Sequence, residues 1–270
     1  MLSEIKERYP QYFAFIENSK VILFDVSRSC LPETTNQSVY QNFVVNKSFS
    51  WQGVIEKEKP VIMLHDPVHL FKSIRNNWFT EKTQTISLKI NNQPLSGDWS
   101  HIVQLYNRQK TCVAKTTKLS RKSVYPSLID RQNVANMVAV FNEKTVAALR
   151  LVNFENTACF LAPIVSLWNM LNVKRKGCDV LLNDINRSPF QTLDDLRFKV
   201  ILAFADATSK MSEGKGLKRH NTFTPETKHA LVNTLQGLIE LIKKLLSEDF
   251  LTYISLLMPF FLTIAVLTII

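Results

Sequence analysis

Pro67 fixes where one element ends and the next begins in the stretch HDPVHLFKSIRNNW, residues 65–78. No other residue constrains the chain as much. Proline fits the first turn of a helix, where its missing N–H has no partner to lose. Asp66, directly before it, is a strong N-cap residue. The pattern predicts a helix that starts at 66–67 and carries Leu70, Phe71, Ile74 and Trp78 on one core-facing stripe. His65 then closes the preceding strand. Two histidines four apart share a helix face only when both lie within the helix. Pro67 separates His65 from His69, and no third ligand lies nearby, so a metal site is excluded here. Lys72, Arg75 and Asn76 fall away from the apolar stripe. They are either a solvated polar face or an edge turned toward phosphates and bases.

Six glycines in 270 residues argue for a largely helical chain, and 46% hydrophobic with 21% charged residues excludes wholesale disorder. KVILFD (20–25) and PVIMLH (60–65) read as buried strands. TQTISLKI (83–90) alternates as a half-exposed strand should, and NNQPLSGD (91–98) reads as the turn closing it. LPETTNQSVYQNFV (31–44) reads as a short helix entered by a loop. Helical spacing dominates after Asp98. That residue can cap a helix carrying Trp99, Ile102, Val103 and Tyr106, and Asp130 can cap one carrying Val134, Met137, Val138 and Phe141. Residues 155–171, 192–210 and 224–247 continue the pattern, the last opened by Thr224 and Pro225. SEGKGLKRHN (212–221) reads as a flexible loop. The expected architecture is mainly α with a small α/β part. An α/β region spans 1–96, a helical domain 97–250 and an apolar tail 251–270.

Lys and Arg number 33 against 23 Asp and Glu, a net charge of +10 that favours a polyanionic partner: nucleic acid, nucleotide or an anionic membrane surface. Six of these cations, with no acid among them, lie between Arg108 and Lys122. Lys115, Arg121 and Lys122 join Lys72, Arg75 and Asn76 as candidate DNA contacts. The four cysteines form no C-x-x-C, the N-terminus offers no apolar signal region, and G-x-x-x-x-G-K-[ST] is absent. The tail, LTYISLLMPFFLTIAVLTII, runs twenty residues without a charge behind Lys243 and Lys244. That length can cross a bilayer, which makes a tail-anchored membrane interaction protein the alternative reading.

DPVHLFKSIRNNW closely resembles the D-P-P-H-L-x-K-x-x-R-N-N signature of P-element-type DNA transposases, THAP-domain transposases included. GDWSHIVQLYN (97–107), KLSRKSVYPSLIDRQNVANMVAVFNEKTVAALR (118–150) and FLAPIVSLWNMLNVKRK (160–176) resemble further segments of that family, in its order. The resemblance implies a ribonuclease-H-like fold in which three carboxylates hold two metal ions, with a helical GTP-binding domain inserted between the second and third. Asp25 stands where the second carboxylate is due. The first is due upstream of the chain's start. Where a D-x-x-E third is due, Glu248 and Asp249 are adjacent instead. The implied protein is a partial ribonuclease-H-like fold followed by the GTP-binding insertion: a truncated or domesticated transposase fragment. It would bind GTP, DNA or both in the nucleus without strand transfer, holding Mg2+ only if its carboxylate set is intact. By motif match Lys118, Leu119, Ser127, Trp168, Asn169 and Asn172 hold the nucleotide, with Asp98 a further guanine-reading candidate. Asn169 replaces an aspartate of the family pattern, which removes an acceptor-only group.

Overall fold

The two apolar runs near the N-terminus become parallel neighbours. Strand β1 (Ile22–Asp25) pairs with β3 (Lys59–Leu64), Ile22 opposite Val61 and Asp25 opposite Leu64. The short β2 (Ile55–Glu56) adds antiparallel on the other side, giving the order β1-β3-β2. This computed structural model describes residues 22–25, 55–56, 59–80, 84–173, 178–211, 221–247, 255–257 and 263–265, with side chains for those between Leu64 and Ser247 other than Cys178 and Leu245. The helix expected at 31–44 and the loop expected at 212–220 lie outside the described residues.

Helix α1 (Pro67–Phe79) follows β3 after His65 and Asp66, and the Asp66 carboxylate accepts from Val68 N at 2.9 Å. Next comes a hairpin, β4 (Thr85–Ile90) with β5 (Gln93–Asp98), in a sheet of its own. β4 alternates as its sequence predicts, with Ile86 and Leu88 buried. The turn expected over 91–98 is corrected: it shrinks to Asn91 and Asn92, at φ 49° and 67°, and residues 93–98 form a strand. A two-residue hairpin loop of this kind needs positive φ at both positions, which asparagine tolerates.

Nine α-helices lie among the described residues. After α1 come α2 (Trp99–Lys110), α3 (Arg121–Val124), α4 (Val134–Val140), α5 (Glu143–Leu151), α6 (Glu155–Leu171), α7 (Cys178–Leu182), α8 (Arg197–Ser209) and α9 (Pro225–Ser247). Asp98 caps α2 as predicted, accepting from Ser100 N at 2.8 Å. Asp130 does not cap α4. It starts a single 3-10 turn, and Asn133 takes the capping role by accepting from Asn136 N. The helix expected from 192 begins at Arg197, where Asp195 accepts the Arg197 N–H at 2.9 Å.

Helix α6 lies against β5 and α5, while α9 returns to pack on β3, α1 and α8. Buried side chains from Leu64 to Ile242 form one contiguous cluster. Trp78 sits within it, edge-on to Trp99 and Phe160 at 5.1 Å each, and its indole N–H donates to Gly97 O at 3.0 Å.

The described residues of the apolar tail are two strands, β6 (Ser255–Leu257) and β7 (Thr263–Ala265), paired antiparallel. Among the described residues no helix is long and apolar enough to cross a membrane. Pro259 stands between the two strands, where it would break a continuous helix, and the β-branched Ile254, Thr263, Ile264 and Val266 favour extended backbone.

Ahead of α8, buried Arg197 is held by Asp195 at 2.6 Å and by the Ser188 and Pro189 carbonyls, with its guanidinium over the Phe190 ring. Burial alone would raise the Asp195 carboxyl. The Arg197 hydrogen bonds and charge outweigh it and leave the carboxyl below its ordinary value. A depressed folded-state pKa contributes stability at pH above the unfolded value of about 3.9 and loses it as pH falls through the folded value. An Asp195→Asn variant should therefore show a shallower fall of Tm between about pH 5 and pH 2 than the parent protein. Parallel curves would contradict this assignment.

Candidate functional site

The signature helix turns most of its polar side chains inward. Arg75 is fully buried: its Nη2 donates to Arg131 O at 2.7 Å and Asp130 O at 3.4 Å, and to Asn76 Oδ1 at 3.1 Å. Lys72 is 8% exposed, and Asn76 is half-buried with its carbonyl accepting from Arg75. The expectation that Lys72, Arg75 and Asn76 line a solvated edge of α1 is thus corrected. Both flanks of α1 are covered, by α9 on one side and by the 130–132 turn with α4 on the other. Burial pulls the Arg75 guanidinium down to about 10, the Arg131 charge adds to that, and Asp130 opposes it.

Asn77 serves the opposite flank. Its amide nitrogen donates to Ser73 O and Thr227 Oγ1, and its oxygen accepts the Thr224 N–H at 2.7 Å. Two of these contacts tie α1 to the start of α9, across 147 residues of sequence for the Thr224 bond. Asn77→Ala should cost about 1–3 kcal/mol by urea denaturation, since a hydrogen-bonded group is left without its partner. A loss under about 0.5 kcal/mol would contradict that role.

The residues matched to nucleotide binding do not all converge. Trp168 is 6% exposed and meets Phe71 edge-on at 5.1 Å, so its ring packs in the core and offers no open stacking face. Asn169 donates through Nδ2 to both Glu143 Oε1 and Asp184 Oδ2. Arg187 completes this group, 2.7 Å from Glu143 and 3.2 Å from Asp184. Burial would raise the Glu143 carboxyl, but hydrogen bonds from its own backbone N–H, Asn169 and Arg187 together lower it. Asn172 ends α6 nearby, and its Oδ1 is buried without a hydrogen-bond partner.

Asp98 lies at the other end of α6. Its N–H donates to Thr157 Oγ1, and twelve residues of helix separate Thr157 from Asn169, a rise of about 18 Å. Asp98 therefore sits apart from the Trp168, Asn169 and Asn172 group. Lys118 is exposed, Leu119 is buried, and the exposed Ser127 donates through Oγ to Asp130 Oδ2 at 2.7 Å. Asp25 closes β1 opposite Leu64, and its side chain is not among those described. Glu248 and Asp249 lie outside the described residues. Among the described residues no group of three His, Cys, Asp or Glu is placed to hold a metal ion.

Glu143, Asp184 and Arg187 were not legible as functional candidates, because no short motif links them. The i,i+3 spacing of Asp184 and Arg187 was the one available signal.

The basic segment does reach solvent. Arg108, Lys110, Lys115, Lys118, Arg121 and Lys122 are all exposed, and among the described residues none of the six joins an ion pair. Gln109 anchors the segment from α2, donating to Thr116 Oγ1 and accepting from the Thr117 hydroxyl. Ser120 and Ser123 close a capping box at α3. The cations are thus displayed on an ordered connection.

No family model and no curated protein sequence matches the chain. Among solved structures it is similar to the Drosophila P element transposase in its strand transfer complex, with a TM-score of 0.61 at 17% identity over 86% of this chain. The chain spans 50% of that protein's length. It therefore has a P-element-transposase-like fold, mainly helical with a small α/β part.

Proposed function

We propose that this chain is a transposase-related DNA-binding protein that works in the nucleus and engages the DNA backbone through residues 108–122. The observation that carries this reading is the set of six exposed cations between Arg108 and Lys122 that have no ion-pair partner among the described residues. Unpaired surface cations release counterions from DNA on binding, and that release supplies most sequence-independent affinity. The likeness to a transposase solved as a strand transfer complex supports the same partner. Fluorescence anisotropy with a mixed-sequence duplex tests it. The full chain should bind, a K115A/R121A/K122A variant should bind markedly less tightly, and equal affinity would overturn the reading.

A guanine nucleotide is proposed as a second ligand, held at the C-terminal end of α6. A guanine edge presents N1–H and an amino group, and the unpartnered Asn172 Oδ1 together with the Glu143 and Asp184 carboxylates could accept them. Asn169 would orient those acids, and exposed Lys118 would meet the phosphates. Calorimetric titration of GTP should give a lower affinity for Lys118→Ala and for Asn172→Ala than for the parent. Unchanged affinities would remove the site. Binding without strand transfer is the activity proposed, because two-metal DNA cleavage needs a full carboxylate set and Glu248 and Asp249 stand adjacent where the D-x-x-E spacing is due.

A further inference from the structure

Where α1 packs on the 130–132 turn, the Arg75 guanidinium reaches the Arg131 backbone carbonyl at 2.7 Å, and each of the two arginines has a buried donor with nothing to receive it. Arg75 is fully buried, yet Nη1 has no hydrogen-bond partner. Arg131 has its Nε buried and likewise unpartnered, while its guanidinium lies over the Phe79 ring at 5.1 Å. Neither arginine forms an ion pair with a carboxylate among the described residues. The nearest acid is Asp130, whose Oδ2 already accepts from Ser127 Oγ and Ser127 N. Lys72, one turn earlier on α1, adds a third cation on this flank, partly offset by Asp66.

Buried charges in folded proteins are ordinarily paired and their donors satisfied, because an unpaired one carries the full desolvation cost. Two neighbouring arginines that each keep an unused buried donor can be bridged by a tetrahedral oxyanion, which takes an N–H from each. We propose that Arg75 and Arg131 form an oxyanion site for a phosphate group, entered when the half-exposed Arg131 side chain lifts from the Phe79 ring. Lys72 contributes charge from α1, and exposed Ser127 stands at the neighbouring turn. The proposal uses neither the cations of the basic segment nor the acids at the end of α6, and it does not depend on the nucleotide reading. The phosphate could be that of a DNA backbone, of a nucleotide or of the free ion.

Thermal unfolding of the full chain with inorganic phosphate is the direct test. Phosphate at about a hundred times its Kd should raise Tm by roughly 5–10 °C, while chloride at matched ionic strength should not. Arg131→Gln keeps the backbone carbonyl that Arg75 uses and removes the bridging donor, so the phosphate shift should largely vanish. Arg131→Lys, which keeps the charge without the Nε donor, should retain a small part of it and gives the same reading should the glutamine variant fail to fold. The source is identified by comparing Arg131→Gln with the parent on a nucleoside monophosphate and on duplex DNA. The ligand whose Kd rises about tenfold supplies the phosphate, and a shift confined to inorganic phosphate assigns the free ion. No phosphate-specific rise in the parent, or an equal rise in Arg131→Gln and Arg131→Lys, overturns the proposal.

Discussion

Replacing Trp78 with alanine should cost about 3–5 kcal/mol of folding free energy, the range for emptying a large aromatic from a packed core. Trp78 is completely buried and is contacted edge-on by Trp99 and Phe160, each pair at 5.1 Å. Aromatic pairs at such angles add roughly 0.5–1.5 kcal/mol each beyond the area they bury. The indole N–H also donates to Gly97 O, a buried hydrogen bond that the substitution removes. Trp78→Phe should fall between the parent and Trp78→Ala, since it refills much of the volume but restores no N–H. Urea unfolding midpoints order the three proteins. A Trp78→Ala loss below about 1.5 kcal/mol would mean that the cluster is not packed as described.

Gly97→Ala is the second large effect, and it arises from too much volume instead of too little. A Cβ at Gly97 would lie 2.1 Å from Phe160 Cδ1 and 2.7 Å from two further ring atoms. The ring is held against Trp78, so it has little room to retreat. Overpacking of this kind costs about 1–3 kcal/mol, and the upper end is expected because the obstruction is a buried ring and not a flexible chain end. Phe160→Leu should lower stability by itself yet reduce the added cost of Gly97→Ala by at least about half, the coupling that contacting residues show in a double-mutant cycle. Strict additivity of the two substitutions would contradict the contact.

The helical outline could be read from residue order because its signals are local. Asp66 with Pro67, Asp98 before Trp99, and Thr224 with Pro225 each mark a helix start through capping chemistry that acts within one turn. The β5 strand was hidden for an equally local reason. Pro94, Ser96 and Gly97 are poor strand formers, and only the Asn91–Asn92 turn that pairs them with β4 makes them one. Long-range pairing hid the rest. Arg75 falls away from the apolar stripe by helical spacing, but the carbonyls that hold it lie at 130–131, and the partners of Asn77 lie at 224–227. Trp168 was similarly matched to a ligand by its motif, whereas Phe71 on a distant helix claims its ring. A motif shows which residues recur together; it does not separate those that hold the fold from those that touch a ligand.

The proposed roles thus divide the signature helix, which joins distant segments, from the basic connection between α2 and α3, which meets DNA. The salt dependence of duplex binding separates the two most directly. Log affinity against log salt should fall linearly for the parent chain, and removing Lys115, Arg121 and Lys122 should make the slope shallower by about 2.7, three phosphate contacts at about 0.9 each. Asn76→Ala should leave the slope unchanged. An unaltered slope in the triple variant would contradict the assignment of residues 108–122 as the face that meets the DNA backbone.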